Sequence, residues 1–208
     1  EANPIGALRV LGKYPVVLSL AGSLVASNLA MQCINSTWVL FVMARFDWDT
    51  RAAGLSLAAF GAVALVYQLG LARILLPLWG EKRTMIIGLT MGAVEFVAYA
   101  LATQGWMIYV IMIIGGLGLL SMQATQGLLS RQVGENEQGI LQGALTSLAS
   151  LTGIFGPLIG TELFSIFTRA SAPVQMPGAA FYLAAVLNVV ALVIAIRVLS
   201  RYRAMGAV

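Results

Sequence analysis

The chain has 208 residues, 60% of them hydrophobic and only 10% charged, with a formal net charge of +4. Apolar runs of this length exceed what a soluble core uses; at about 20 residues per crossing plus connections they allow roughly six bilayer crossings in one domain. The lack of histidine and the single Cys33 exclude a histidine metal site, a histidine pH switch and a disulfide framework. The cations sit at membrane borders rather than in one patch, so nucleic acid is not an expected partner.

The first residues, EANPIGALRVLGKYP, show neither an initiator methionine nor a cleavable signal pattern. Residues 1–14 are expected to form a cytoplasmic lead-in, and two readings stay open: a complete chain, or a processed or excised piece of something longer. Apolar runs between breakers predict spans at 15–41, 52–76, 84–102, 106–129, 140–167 and 178–198. The expectation is an all-α polytopic protein, with a six-helix bundle over 15–199 and a cytoplasmic tail over 200–208. With the N-terminus inside, Arg9, Lys13, Arg73, Lys82, Arg83, Arg131, Arg197, Arg201 and Arg203 face the cytoplasm, and Arg45, Arg51 and Arg169 face out. That bias puts both termini in the cytoplasm. Trp38, Trp48, Trp79 and Trp106 fall near predicted span ends and are expected at the interface.

The first span carries Ser19, Ser23, Ser27, Asn28, Gln32 and Asn35 at steps that keep them near one helical face. Tyr67 and Gln68 add polar tips on the second span, Gln123, Thr125 and Gln126 on the fourth, and Gln142, Thr146 and Ser150 on the fifth. Such groups face protein or water, because lipid leaves them unpaired. They serve either as hydrogen-bonding glue between helices or as the lining of a cavity for a moderately polar, uncharged or metal-shielded molecule. In GIFGPLIG, Gly156 and Gly160 allow close helix approach, and Pro157 removes a backbone donor and is expected to bend or loosen the fifth span.

Glu95 lies near the midplane of the third span, with Gly88, Gly92, Ala98 and Tyr99 on its face. An ionised acid there costs roughly 2.5–3.5 kcal/mol on insertion scales, and taking up a proton relieves the cost. The functional reading is a site that binds and releases protons; the structural one is a protonated glutamate bonded to a neighbour. Glu162, further out on the fifth span, is a second candidate for proton handling or a snorkelling side chain. No cation lies mid-span to pair with either acid.

Taken together, NPIGALR, STWVLF with RFDWDT, GLSLAAFG, WGEKRTMIIG, LLSRQV with EQGILQG, and TGIFGPLIG resemble, in order, the C-terminal six-helix half of the tetracycline-efflux proteins. Those are drug:proton antiporters of the major facilitator superfamily. The resemblance implies one half-bundle of a major facilitator fold, a cavity lined by the first, second, fourth and fifth spans, and no bound cofactor beyond the proton as coupling ion. It implies a bacterial inner-membrane location and a small-molecule drug, alone or as a divalent metal–drug complex. Gly80, Lys82 and Arg83 match the superfamily's gating loop, and GPLIG its antiporter glycine-proline motif. Gln32 and Gln68 match polar family positions and are expected substrate contacts; the reading of the residues adds Asn28, Asn35, Gln126, Gln142 and Thr146.

The chain also departs from that family. Ala64 stands where these exporters carry a functional histidine, and Gly92 where they carry an essential aspartate. Glu95, one turn beyond Gly92, is expected to have taken over proton coupling. The missing N-terminal six helices would be supplied either by a second copy about a two-fold axis or by the rest of a longer exporter. A non-transporting scaffold or an inactive excised domain is the alternative. An enzyme lacks its equipment here, with no histidine, buried aspartate pair or nucleophile motif.

Overall fold

A computed structural model describes residues 15–204 apart from position 173, with side chains described to position 200. The expected lead-in, 1–14, lies outside the described residues, as do residues 205–208 of the expected tail, whose first residues, 200–204, belong to the last helix. The described chain is helical between short connections. In order it forms α1 (Pro15–Phe46), α2 (Thr50–Leu65), a π-helical turn (Val66–Leu71), α3 (Ala72–Leu101) and α4 (Gly105–Gly115). A 3-10 turn (Gly116–Gly118), α5 (Leu119–Ser130), a second 3-10 turn (Glu135–Glu137), α6 (Gln138–Thr168) and α7 (Ala179–Ala204) follow.

Among the described residues, five helical stretches are long and apolar enough to cross a bilayer: 15–46, 50–101, 105–130, 135–168 and 179–200. The stretch from 50 to 101 reverses direction. Trp38 donates to Ser56 (2.9 Å) and packs edge-on against Tyr99, ring centroids 5.2 Å apart. In a straight helix Ser56 and Tyr99 would be roughly 65 Å apart at 1.5 Å per residue. The break is Gly80, at φ 74° and ψ 158°, a conformation that glycine reaches without a Cβ clash. The predicted loop PLWGEKR is thus reduced to one non-helical residue.

Helix α1 runs five residues past the predicted end, because VMAR continues the helix after the apolar run thins. It stops where Asp47 takes φ 53°. Asp49 then caps α2 by accepting from the Ala52 N–H at 2.7 Å, and Arg45 donates to the terminal carbonyl of Ala102 at 3.1 Å. Helix α1 packs along α6 and α7, and α3 along α5 and α7. Pro157 leaves α6 unbroken over its 31 residues. Trp38 is not interfacial: it is 5% exposed, in the core with Phe41, Tyr99 and Phe181.

The core divides in two. One apolar cluster joins Leu20, Leu24, Met85, Leu89, Leu128 and Leu141, and the other joins Ile34, Trp38, Phe41, Phe96, Ile108 and Phe181. Between their levels, the chain places Ser27 on α1, Gly92 and Glu95 on α3, Gly115 to Ser121 across α4 and α5, and Asn188 on α7.

Candidate functional site

A cavity of about 280 Å³ opens in this middle layer, bounded by α1, α2, α3, α5 and α7. That is just below the range of ligand pockets, about 300–1,000 Å³. Its polar groups include Asn35, Gln68, Glu95, Gln123 and Asn188, and its apolar wall includes Leu57, Phe60, Phe96 and Met122.

Glu95 projects from α3 onto bare backbone. The Tyr99 hydroxyl, one turn on, donates to Oε1 at 3.0 Å. Oε2 accepts from no described residue, yet among the described residues no buried side-chain oxygen or nitrogen lacks a partner, so Oε2 opens onto the cavity. Room for the carboxyl comes from Gly115, where a β-carbon would stand 2.5 Å from Glu95 Cγ. Gly92 and Gly118 bring α3 against the 3-10 turn: a β-carbon on Gly118 would lie 3.1 Å from the Gly92 Cα.

Two departures from α geometry face each other here. Tyr67, in the π-helical turn, donates to the Ile113 carbonyl at 2.6 Å, three residues before the 3-10 turn. Its ring occupies the space above Gly116, where a β-carbon would be 2.6 Å from Cδ2. Inserted turns of this kind recur at functional positions. Gln68 is the next residue of the π turn, and its Oε1 lies 3.5 Å from Gln123 Nε2, too long for a strong hydrogen bond.

Most hydroxyls in the bundle bond back to their own helix, as Ser19 does to Pro15 and Thr125 to Ser121. Two on α1 reach across instead: Ser23 donates to the Ala191 carbonyl (2.9 Å) and Ser27 to Asn188 Oδ1 (3.1 Å).

The residues singled out from sequence divide by location. Asn35, Gln68 and Glu95 meet at the cavity. Gln32 does not line it; its side chain lies against Gly153 and Gly156 of α6. Asn28 is half-buried away from the cavity, and Gln126, Gln142 and Thr146 are exposed. The fifth-span stripe therefore contributes nothing to this cavity, while α3 and α7, not expected as lining, do. Gly156 and Gly160 press onto α1, where a β-carbon on Gly160 would be 2.7 Å from the Cys33 carbonyl. Glu162 is exposed, 3.9 Å from Arg169 in the following connection, and does not line the cavity that Glu95 lines. Lys82 and Arg83 are exposed just past the Gly80 break, and Glu81 pairs with Arg131 at 3.0 Å. Sequence reasoning missed Asn188, although it is the one amide in the apolar run FYLAAVLNVVALVIAI.

The Major Facilitator Superfamily profile matches residues 20–205. The chain is 41% identical to the class G tetracycline resistance protein of Vibrio anguillarum over 78% of its own length and 42% of that protein's. It is 37% identical to the class C tetracycline resistance protein of Escherichia coli, over 87% of the chain and 46% of that protein. A more distant likeness, 24% over 80% of the chain and 33% of the relative, links it to the human hippocampus abundant transcript-like protein 1. The chain thus spans less than half the length of the curated relatives it matches. It is a multi-pass protein of a bacterial inner membrane, and it belongs to the Major Facilitator Superfamily, a family of transporters rather than enzymes.

Proposed function

We propose that the chain exports tetracycline-like or other amphipathic drugs, alone or complexed with a divalent ion, in exchange for protons. The observation that carries this reading is Glu95 at the cavity wall, one carboxyl oxygen tied to Tyr99 and the other open to the same space as Asn35, Gln68 and Asn188. An acid so placed exchanges a proton with whatever fills the cavity. In this reading each arm on either side of Gly80 crosses the bilayer separately, making six crossings, and the charge bias sets both termini in the cytoplasm. The exposed α6 stripe with Gln142 and Thr146, together with Asn28, Gln32 and Gln126, then extends the drug path where a complementary bundle closes the cavity. That bundle is a second copy or an N-terminal six-helix half. Gly80, Lys82 and Arg83 act at the cytoplasmic turn, and Gly156, Pro157 and Gly160 as the α1–α6 sliding contact. Coupling is assigned to Glu95 alone; Glu162 is given a surface role beside Arg169.

The test is tetracycline uptake into everted vesicles from cells expressing the chain, driven by an acid interior. Wild-type vesicles should accumulate drug, and Glu95→Gln vesicles should lose the acid dependence at equal protein level. Acid-driven accumulation in Glu95→Gln vesicles at the wild-type rate overturns the assignment.

A further inference from the structure

Asn188 is 6% exposed, and its Oδ1 is engaged by the Ser27 hydroxyl. That bond turns the amide nitrogen away from α1: Nδ2 lies 3.2 Å from where a β-carbon on Gly92 would stand. No described residue accepts from Nδ2, and among the described residues no enclosed side-chain nitrogen is left unpaired, so its hydrogens reach the cavity that Asn188 lines. On the other side of the Gly92–Gly118 contact, Glu95 Oε2 is 3.5 Å from a β-carbon position on Gly118 and equally unpartnered. A free donor and a free acceptor thus flank a floor without side chains, under walls that include Phe96 and Met122.

We infer that Asn188 and Glu95 form the polar end of a ligand subsite for a neutral head group carrying a hydrogen-bond donor beside an acceptor, as a primary carboxamide does. The ligand carbonyl accepts from Nδ2, its N–H donates to Oε2, and its planar body lies over Gly92 and Gly118. Other chemistries leave a group unmatched. A carboxylate ligand is repelled by Glu95, and an ammonium leaves the Asn188 hydrogens facing more hydrogens. A bare divalent ion wants six or more oxygens, and this end of the cavity offers one carboxylate. The inference rests on the drug-site reading above and names the part of the drug held there.

The test is equilibrium binding of tetracycline, which carries a primary carboxamide, and of its decarboxamido derivative to the full chain in lipid nanodiscs. Vesicle transport is measured in parallel. One buried hydrogen bond corresponds to roughly a three- to tenfold change in Kd. Asn188→Leu, close to Asn in shape, should weaken tetracycline by that factor and leave the derivative, already weaker by a similar factor, unchanged. Ser27→Ala, which only unfastens the amide, should weaken tetracycline less. Equal weakening of both ligands by Asn188→Leu, as from misfolding, or no weakening of either, overturns the subsite. Asn188-dependent binding without acid-driven transport overturns the export reading and keeps the subsite. Absence of tetracycline binding to the wild type overturns both.

Discussion

Replacing Gly115 by alanine tests whether the position of the Glu95 carboxyl matters. The glycine backbone sits at φ −73° and ψ −18°, which alanine adopts freely, so the only new term is steric. The added β-carbon would stand 2.5 Å from Glu95 Cγ and 2.7 Å from Oε2, whereas non-bonded carbons rest at about 3.5–4.0 Å. Something must move by about 1 Å. Parting the helices would break the close Gly92–Gly118 contact between α3 and the 3-10 turn; the Glu95 side chain, held at its end only by Tyr99, yields instead. It then leaves the Tyr99 hydroxyl, losing a hydrogen bond of about 0.5–1.5 kcal/mol, or about 1.5–3 kcal/mol when the acid is charged. Acid-driven tetracycline uptake should fall roughly three- to tenfold, and its pH profile should move by up to about one unit. The melting temperature should fall by no more than that one bond, about 1.5 kcal/mol or less, since no helix is displaced. Gly54→Ala is the control, because nothing lies within 4 Å of its β-carbon position. Wild-type uptake with a wild-type pH profile in Gly115→Ala would show that the carboxyl works equally well elsewhere, and would refute the reasoning.

Tyr99→Phe removes the same bond without touching Gly115 and keeps the ring against Trp38 and Phe181. Its melting temperature should correspond to a loss of no more than about 1.5 kcal/mol, while the pH profile of uptake moves as in Gly115→Ala; an unmoved profile counts against the pair. Gly160→Ala sets a methyl 2.7 Å from the Cys33 carbonyl and 3.0 Å from its Cα. Since backbone cannot fold aside, α1 and α6 must part, at a cost of about 1–3 kcal/mol, and maleimide should label the buried Cys33 faster in native membranes. Arg131→Ala breaks the 3.0 Å pair with Glu81, but the arginine side chain is 74% exposed, so thermal melts should shift by less than about 1 kcal/mol, and less still in high salt.

Hydropathy located the five crossing-length stretches of the described residues, dividing 50–101 into two, yet it reports where apolar residues run rather than where the helix stops. That is why α1 outruns its apolar run to Phe46, and why the chain reversal needs only Gly80 where a seven-residue loop is expected. Within the site, Glu95, Tyr99 and Gln68 stood out as polar groups in apolar runs. Gln32 shows the limit of periodicity. Steps of three and four place it near the Ser27–Asn35 face, but the glycines of α6 supply a groove that seats it between helices, and the facing helix is invisible in the pattern of α1 alone. Asn188 was legible by the rule that exposed Glu95, a polar group alone in a long apolar run. Its partner Ser27 lies 161 positions away, which no local pattern connects.

The two halves of the core explain why polar groups gather at one depth. Above and below, large side chains such as Phe41 and Phe181, or Leu20 and Met85, interlock at almost no exposure. At the level between them α3 meets the 3-10 turn through glycines, so the helices touch by backbone and no side chain fills the remaining volume. A void in lipid-like surroundings lined only by methyl groups would stay dry; one edged by a carboxylate oxygen and an amide nitrogen lacking protein partners attracts a polar occupant, water or ligand. The π turn at Tyr67 and the 3-10 turn at Gly116 fall on the same level, where the usual helical ladder is already disturbed. Motion that opens this layer to one side or the other therefore disturbs fewer regular hydrogen bonds than motion through either apolar cluster, and it carries Glu95 with it.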